Sequence, residues 1–356
     1  MRMYLAGVGT MVGLELRQRV RGVAWYVLLG VFVTLVGAVT LLLWLASGGR
    51  DSGGWLYSLI VYFILLLGTL VTPALSGNAI NGERDAGTLA TTQVTLIRTS
   101  QLVLGKFLAA WVSSLGFLAA SIPFIVVAVL LGDLSALTIA TSAIVLAAEL
   151  GFVAAIGVSL SGIVTRPLFS VTLTYLVVAA LSVGTLIAFG LLGAVTRSQV
   201  QLSTISVSTA TYDETTGAAS NLICAPPVMS SYSVQRFDPY WGILAANPYV
   251  IIADAAPGSF AANGGPNDLF STVSLGVRSA QRAPALSVVN NMCDAAANGD
   301  VVPGNSPSAR ELYDSAVPSW FVGLGIQLVL AAGALLWAWS RTRTPARRLA
   351  AGSRVA

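Results

Sequence analysis

The sequence has 356 residues, of which 55% are hydrophobic and only 10% are charged, and its mean hydropathy is +0.79. Soluble domains carry about 25% charged residues, so this composition leaves almost no room for a soluble cytosolic enzyme. The absence of histidine removes His-based acid–base catalysis, catalytic triads and His-ligated metal sites, and two cysteines are too few for a thiolate cluster.

Six long apolar runs dominate the sequence. Five carry no charge, and the sixth is interrupted once, by Glu149. A helix needs roughly 20 apolar residues to cross the hydrocarbon layer, and backbone groups in lipid must be paired within the segment, so these runs predict helices. We therefore expect an all-α membrane protein with six transmembrane helices. The runs are Gly22–Gly49, Ser52–Gly82, Phe107–Gly132, Leu134–Thr165, Pro167–Thr196 and Ser315–Ser340.

The polar segments divide the chain into a simple order. Residues 1–22 are basic with interspersed apolar residues, which favours an amphipathic helix on the inner membrane surface, although a plain basic topology anchor explains the same charges. The first run is longer than the apolar region of a signal peptide, so we interpret it as a retained helix. Five helices in 23–196 precede an outer domain at 197–314, a sixth helix at 315–340 and a basic tail at 341–356.

Charge asymmetry predicts the orientation of these helices. With the N-terminus inside, thirteen of the nineteen basic residues fall on the cytoplasmic side together with only three carboxylates. Basic residues accumulate in cytoplasmic loops, so both termini are expected in the cytoplasm and residues 197–314 outside. Only one basic residue is lysine, a bias typical of GC-rich bacterial genomes, so we expect a bacterial plasma membrane. The same asymmetry explains the pI of 9.3 without a nucleic-acid partner.

The most informative polar segment is the cytoplasmic loop between the second and third helices, residues 80–105. Clustered charges of alternating sign are followed by apolar residues, which predicts a short helix with an acidic start and an exposed apolar tip for docking another protein. Alternatively, Glu83 and Arg84 are held within the chain by Arg17, Arg19 or Arg21. The candidate docking residues are Glu83, Arg84, Asp85, Gly87, Thr88, Leu89, Leu96, Ile97 and Arg98.

This loop resembles a stretch found in one family of membrane proteins. Residues 83–89, with Arg98 and Gly105-Lys106 downstream, are similar to E-R-E-x-G-T-L-E … R … G-K in the permease subunits of type-2 ATP-binding-cassette exporters, where the stretch also follows the second transmembrane helix. Asn247-Pro248 is similar to the family's N-P segment after its fifth helix. The sequence departs from the family at Ala90, where an acidic residue is usual, and in its larger outer domain.

The resemblance implies a transport subunit that does not act as an enzyme by itself. Such a permease forms the translocation path with a second permease, either another copy or a paralogue, and is driven by separate ATPase subunits that bind ATP and Mg²⁺. The sequence agrees in one respect, because it contains no G-x-x-x-x-G-K-[ST] motif for nucleotide phosphates. No cofactor is therefore expected in this chain.

The outer domain is expected to be rich in loops with some strands. Residues 200–207 and 273–277 alternate between apolar and small or polar side chains, as half-buried strands do. The only two cysteines, Cys224 and Cys293, lie on the oxidising side, which favours a disulfide over two free thiols. The apolar stretch Tyr240–Ala256 is too short to span, so it is either a re-entrant or interfacial segment or a buried part of the domain.

Glu149 supports a different class of function. A carboxylate within a span costs about 2.5–3.5 kcal/mol on insertion scales and usually faces the bundle interior or a wet cavity. It is therefore either a substrate- or proton-contacting group or a hydrogen-bonded packing residue. A proton-coupled secondary transporter that uses Glu149 is one alternative to the exporter, although we find no inverted repeat. A membrane receptor or scaffold with an outer ligand-binding domain is another.

Overall fold

The helices that carry the apolar runs pack side by side. The computed structural model describes residues 2–47, 53–87, 98–132, 134–212, 219–262, 264–298 and 307–343. Within these residues, six helices are long and apolar enough to cross a membrane, which agrees with the expected count. The first helices are α1 (Arg2–Arg21), α2 (Val23–Ser47), α3 (Gly53–Ser76), α4 (Asn81–Asp85), α5 (Thr99–Leu130), α6 (Ala136–Ile163), α7 (Pro167–Ala179) and α8 (Thr185–Val195).

The fifth span is formed by α7 and α8 together, joined by a π-helical stretch at Ala180–Gly184. After it come the strands and short helices of the outer domain and then the last span. These elements are β1 (Arg197–Ile205), β2 (Val207–Tyr212), β3 (Ala219–Cys224), β4 (Val228–Gln235), α9 (Trp241–Ala245), α10 (Pro248–Ala255), α11 (Leu269–Ser279), β5 (Ser287–Asn291), α12 (Met292–Asn298), α13 (Ala309–Ser315) and α14 (Trp320–Thr342).

Helix α6 lies at the centre of the bundle. In its most apolar stretch 72% of residues are buried, against 17% in α2 and 11% in α7–α8. Small residues allow this position, because a side chain at Gly157 would collide with Ser76 of α3, and one at Gly151 would press tightly against Trp111 of α5. The indole of Trp111 also donates a 2.8 Å hydrogen bond to the carbonyl of Ala147. The neighbouring helices are therefore held close to α6.

The segment Tyr240–Ala256 enters the bundle from the end that carries the strands. Helices α9 and α10 meet at Asn247, whose side chain accepts from the amide of Tyr249 at 2.9 Å and donates to the carbonyl of Ser182 at 2.6 Å. Ser182 belongs to the π-helical stretch halfway along the fifth span, and π-helical turns often mark functional sites. The segment is therefore buried against the fifth span, which agrees with both interpretations, a re-entrant segment covered by protein and a buried part of the domain.

The strands form two small sheets. The larger has the order β4–β1–β5, in which β1 is antiparallel to β4 and parallel to β5, and the smaller is the β2–β3 pair. The expected strand at 200–207 is therefore confirmed, with one interruption at Ser206 between β1 and β2. A sheet followed by short helices agrees with the partly β composition expected for the outer domain.

The expectation of a strand at Val273, Leu275 and Val277 is wrong. These residues lie in α11, where the buried positions recur every three or four residues rather than every second one. The carboxylate of Asp268 begins the helix by accepting the amide of Ser271 at 2.6 Å. Such a short apolar stretch fits either period, so the cap and the packing against α10 decide between helix and strand.

The predicted disulfide between Cys224 and Cys293 is present. It joins the end of β3 to the first turn of α12, with the two Cα atoms 5.7 Å apart. The bridge closes a loop with a sequence separation of 69 residues. It therefore ties the β2–β3 pair to the part of the chain that follows Tyr240–Ala256.

We expect the double variant Cys224→Ala/Cys293→Ala to lose about 4 kcal/mol of stability in the outer domain, because a long closed loop restricts the unfolded chain. Limited proteolysis of the full chain in membranes measures this loss as faster cleavage within 197–314. Mass spectrometry of a non-reduced digest provides the control, and two separately alkylated peptides from the wild type would contradict the assignment.

Candidate functional site

The charged start of the loop between the second and third spans folds into α4. Glu83, Arg84 and Asp85 lie in this short helix, which ends at Gly87 in the left-handed conformation with φ +69°. The amide of Gly87 donates to the carbonyl of Arg84 at 3.1 Å. Among the residue types, glycine adopts this conformation at the lowest cost, so the glycine of the motif has a geometric role in ending the helix.

The apolar tip of the loop is not described. Thr88, Leu89, Leu96 and Ile97 lie outside the described residues, so docking through them stays a prediction. The chain is described again from Arg98, directly before α5. Helix α5 thus begins well before the expected boundary at Phe107, and the last part of the expected loop is helical.

A buried lysine joins the N-terminal helix to this loop. Only 1% of the Lys106 side chain is exposed. Its Nζ lies 2.5 Å from Oε1 of Glu15 in α1 and 2.7 Å from Oε1 of Glu83 in α4. A buried ammonium group needs such partners, because the loss of its hydration costs several kcal/mol. One cation therefore bridges three helices.

Arg19 adds a second cation next to these groups. It follows Glu15 by one turn of α1, and burial lowers the pKa of Arg19 while the charge of Glu15 opposes that shift. The guanidinium nevertheless stays protonated, since arginine is charged at any physiological pH. We call Glu15, Arg19, Glu83 and Lys106 the charged cluster, which contains two charges of each sign.

Close backbone approach brings α1 against α5 beside this cluster. A side chain at Gly105 would collide with Met11, and one at Gly7 would collide with Gln101. Gln101 in turn donates to the carbonyl of Tyr4 at 3.0 Å. The first helix is therefore packed against α5 along much of its length. The G-K pair combines both contacts, with the glycine at the helix crossing and the lysine in the charged cluster.

Arg84 faces the opposite side of α4, towards α6. Its guanidinium donates to the side chain of Asn81 at 3.1 Å and to the carbonyls of Val164 and Gly162 at 3.4 and 3.5 Å. These carbonyls belong to the end of α6, where a cation is favourable. The hydroxyl of Ser161 also accepts the amide of Asn81 at 3.0 Å. Helix α4 is thus joined to α1 and α5 on one side and to α6 on the other.

These contacts confirm only part of the alternative in which the loop is held within the chain. Glu83 is held by Lys106, a partner that the alternative did not name. Sequence reasoning named Lys106 only as part of the motif and assigned Glu15 no role. One signal was available, because the only lysine in the chain stands at the border of an apolar run.

Glu149 lies in the interior of the bundle. It is completely buried in α6, next to Gln327 of α14, and neither oxygen of its carboxyl group has a hydrogen-bond partner among the described residues. Gln327 also lines an apolar cavity of about 430 Å³ between α5, α6 and α14. Burial in protein agrees both with a packing residue and with a group that contacts a substrate or proton, so the role of Glu149 stays open.

A second buried charge centre lies where the outer domain meets the last span. Oδ1 of Asp254 in α10 accepts a hydrogen bond from Nε of Arg278 at 2.7 Å and another from the hydroxyl of Ser274 at 2.5 Å. Its Oδ2 accepts the amide of Ser319, the hydroxyl of Ser319 at 2.9 Å and the amide of Trp320 at 3.1 Å. One carboxylate thus joins α10 and α11 to the start of α14.

Sequence reasoning found no site among the outer carboxylates, Asp254 included. Asp213 and Glu214 lie outside the described residues, and Asp238 pairs with Arg236 at 2.6 Å near the surface. The guanidinium of Arg278 additionally lies 3.7 Å over the ring of Tyr313. The partners of Asp254 lie 20 to 66 residues away from it in sequence, so no local motif could indicate this centre.

Comparison with known proteins does not extend this description. No protein-family model matches the sequence, and no curated protein matches it significantly.

Proposed function

We propose that this chain is the membrane-spanning permease subunit of an ATP-driven exporter of the type-2 ATP-binding-cassette family. In this proposal it forms a translocation path with a second permease, and separate ATPase subunits bind ATP and Mg²⁺ and drive transport. Both termini and the loop at 80–105 face the cytoplasm of a bacterial cell, and residues 197–314 face outward.

The observation that supports the proposal best is how the base of the loop is held. The charged cluster joins α4 to α1 and α5, while Arg84 and Asn81 join it to the end of α6. A push at the loop tip therefore moves several spanning helices together instead of bending a free loop. Such a transmission element is what an ATPase bound at the cytoplasmic face requires.

The proposed docking anchor is the apolar tip around Leu89. A central apolar anchor commonly contributes more than 1–2 kcal/mol to binding, and a carboxylate there also adds a desolvation cost. We expect Leu89→Asp to lower ATPase retention about tenfold when the tagged full chain is purified from native membranes. The matched control Ser279→Asp, at an exposed site on α11, should retain the ATPase at the wild-type ratio.

Two outcomes would contradict different parts of this proposal. If the wild-type chain purifies without any protein that carries a nucleotide-binding G-x-x-x-x-G-K-[ST] motif and hydrolyses ATP, the permease assignment is wrong. If the ATPase is present and Leu89→Asp retains it fully, the permease assignment stands and the docking site lies elsewhere.

A further inference from the structure

Strand β4 presents an open edge outside the bundle. It is the end strand of its sheet, and no strand among the described residues pairs with its other side. Seven of its eight residues are exposed, which includes both faces of the strand. Among them Val228, Met229 and Tyr232 are 64%, 63% and 46% exposed. In water, an apolar edge of this kind is a template for pairing with another strand.

Natural edge strands usually prevent such pairing, and β4 itself lacks three of the usual devices. The sequence Val-Met-Ser-Ser-Tyr-Ser-Val-Gln contains no charge and no proline, and its pairing with β1 runs without a bulge. The cation that directly follows the strand, Arg236, is paired with Asp238 at 2.6 Å. Identical strands that meet at this edge would therefore bring no like charges into opposition.

The hydrogen-bonding pattern identifies the free groups of this edge. Arg236 donates its amide to the carbonyl of Thr196, so the even-numbered residues of β4 point their backbone groups towards β1. Backbone groups alternate along a strand, so those of Met229, Ser231, Ser233 and Gln235 point away from the sheet. A second β4 strand, placed antiparallel, can form backbone hydrogen bonds with all four residues when Tyr232 of one copy lies opposite Tyr232 of the other.

We propose that β4 pairs with β4 of a second copy of this chain across a two-fold axis, which joins the two outer sheets into one. The same patch then serves both copies, as in other two-fold interfaces. The end of β4 lies directly over the fifth span, where Phe237 packs on Phe189 with ring centroids 5.2 Å apart. That span is the least buried of the six, so both β4 and the span beside its end leave surface open in a single copy.

The pairing can be tested by cross-linking single cysteines in the full chain in membranes. Residues opposite each other in a non-hydrogen-bonded antiparallel pair have Cα atoms about 4.5 Å apart, within the range of a disulfide. Mild oxidation should therefore convert most of a Tyr232→Cys variant into a covalent dimer. Val289→Cys, exposed on β5 at the opposite end of the same sheet, is the matched control and should remain monomeric.

A second measurement does not depend on the exact register. Two differently tagged copies that both carry Ser231→Lys and Ser233→Lys should co-purify at least tenfold less than wild-type copies, because like charges then oppose each other. A lysine copy expressed with a Ser231→Glu/Ser233→Glu copy should restore co-purification. The proposal is overturned if the two lysine copies associate like the wild type, or if copies co-purify while Tyr232→Cys forms no cross-link. The Tyr232→Cys cross-link reports contact at β4 alone, whereas the permease assignment fails only if no ATPase co-purifies, so the two proposals fail separately.

Discussion

Replacing Lys106 with methionine is expected to destabilise the end of the bundle that carries α4 by about 3–5 kcal/mol, the usual effect of removing one partner from a buried ion pair. The variant leaves the carboxylates of Glu15 and Glu83 close together without the cation that lies 2.5 and 2.7 Å from them. Chemical denaturation of the purified full chain in detergent measures the loss. If the exporter proposal holds, the same variant should also weaken the link between ATP hydrolysis and transport.

Two controls separate the loss of the buried cation from the loss of charge in general. Arg197→Met removes an exposed cation and should leave stability within about 0.5 kcal/mol of the wild type. The quadruple variant Glu15→Gln/Arg19→Met/Glu83→Gln/Lys106→Met removes all four charges of the charged cluster and should recover much of the stability, since buried ion pairs are often replaceable by neutral groups. A Lys106→Met variant as stable as Arg197→Met would contradict the bridging role of Lys106.

Asp254→Ala is expected to lower stability by a similar amount, about 3–5 kcal/mol, because it leaves the buried guanidinium of Arg278 without its carboxylate. It also removes the acceptor of the amides of Ser319 and Trp320 at the start of α14. Thermal unfolding followed by tryptophan fluorescence measures the loss, and Trp320 lies directly at the affected contact. Exposure of the 197–314 region to protease should rise in parallel.

The matched control for this prediction is Asp238→Ala. Asp238 also pairs with an arginine at 2.6 Å, but this pair lies near the surface, so water compensates for the missing carboxylate and the effect should be clearly smaller. If Asp254→Ala and Asp238→Ala lose equal amounts of stability, burial of the Asp254 centre is not the reason for its contribution to stability.

The hydropathy of the sequence was sufficient to identify the spanning helices. Each span is a local property, because about 20 consecutive apolar residues satisfy the membrane requirement without reference to the rest of the chain. Strand β1 was also predictable, because exposed and more buried side chains alternate along its first six residues, Arg197–Leu202. The same reasoning failed for α11, where a stretch of five residues fits two periods and only the cap at Asp268 and the packing select the helix.

Composition and local pattern by themselves predicted six apolar helices, some strands within residues 197–314 and one disulfide, all of which are present. Only the tertiary structure decided which charges meet, because Lys106 is 91 residues from Glu15, and Asp254 is 65 residues from Ser319. Partners at such separations leave no periodic signal in the sequence. They are selected when helix packing removes water from the side chains, since a buried charge must then find its counter-charge within the fold.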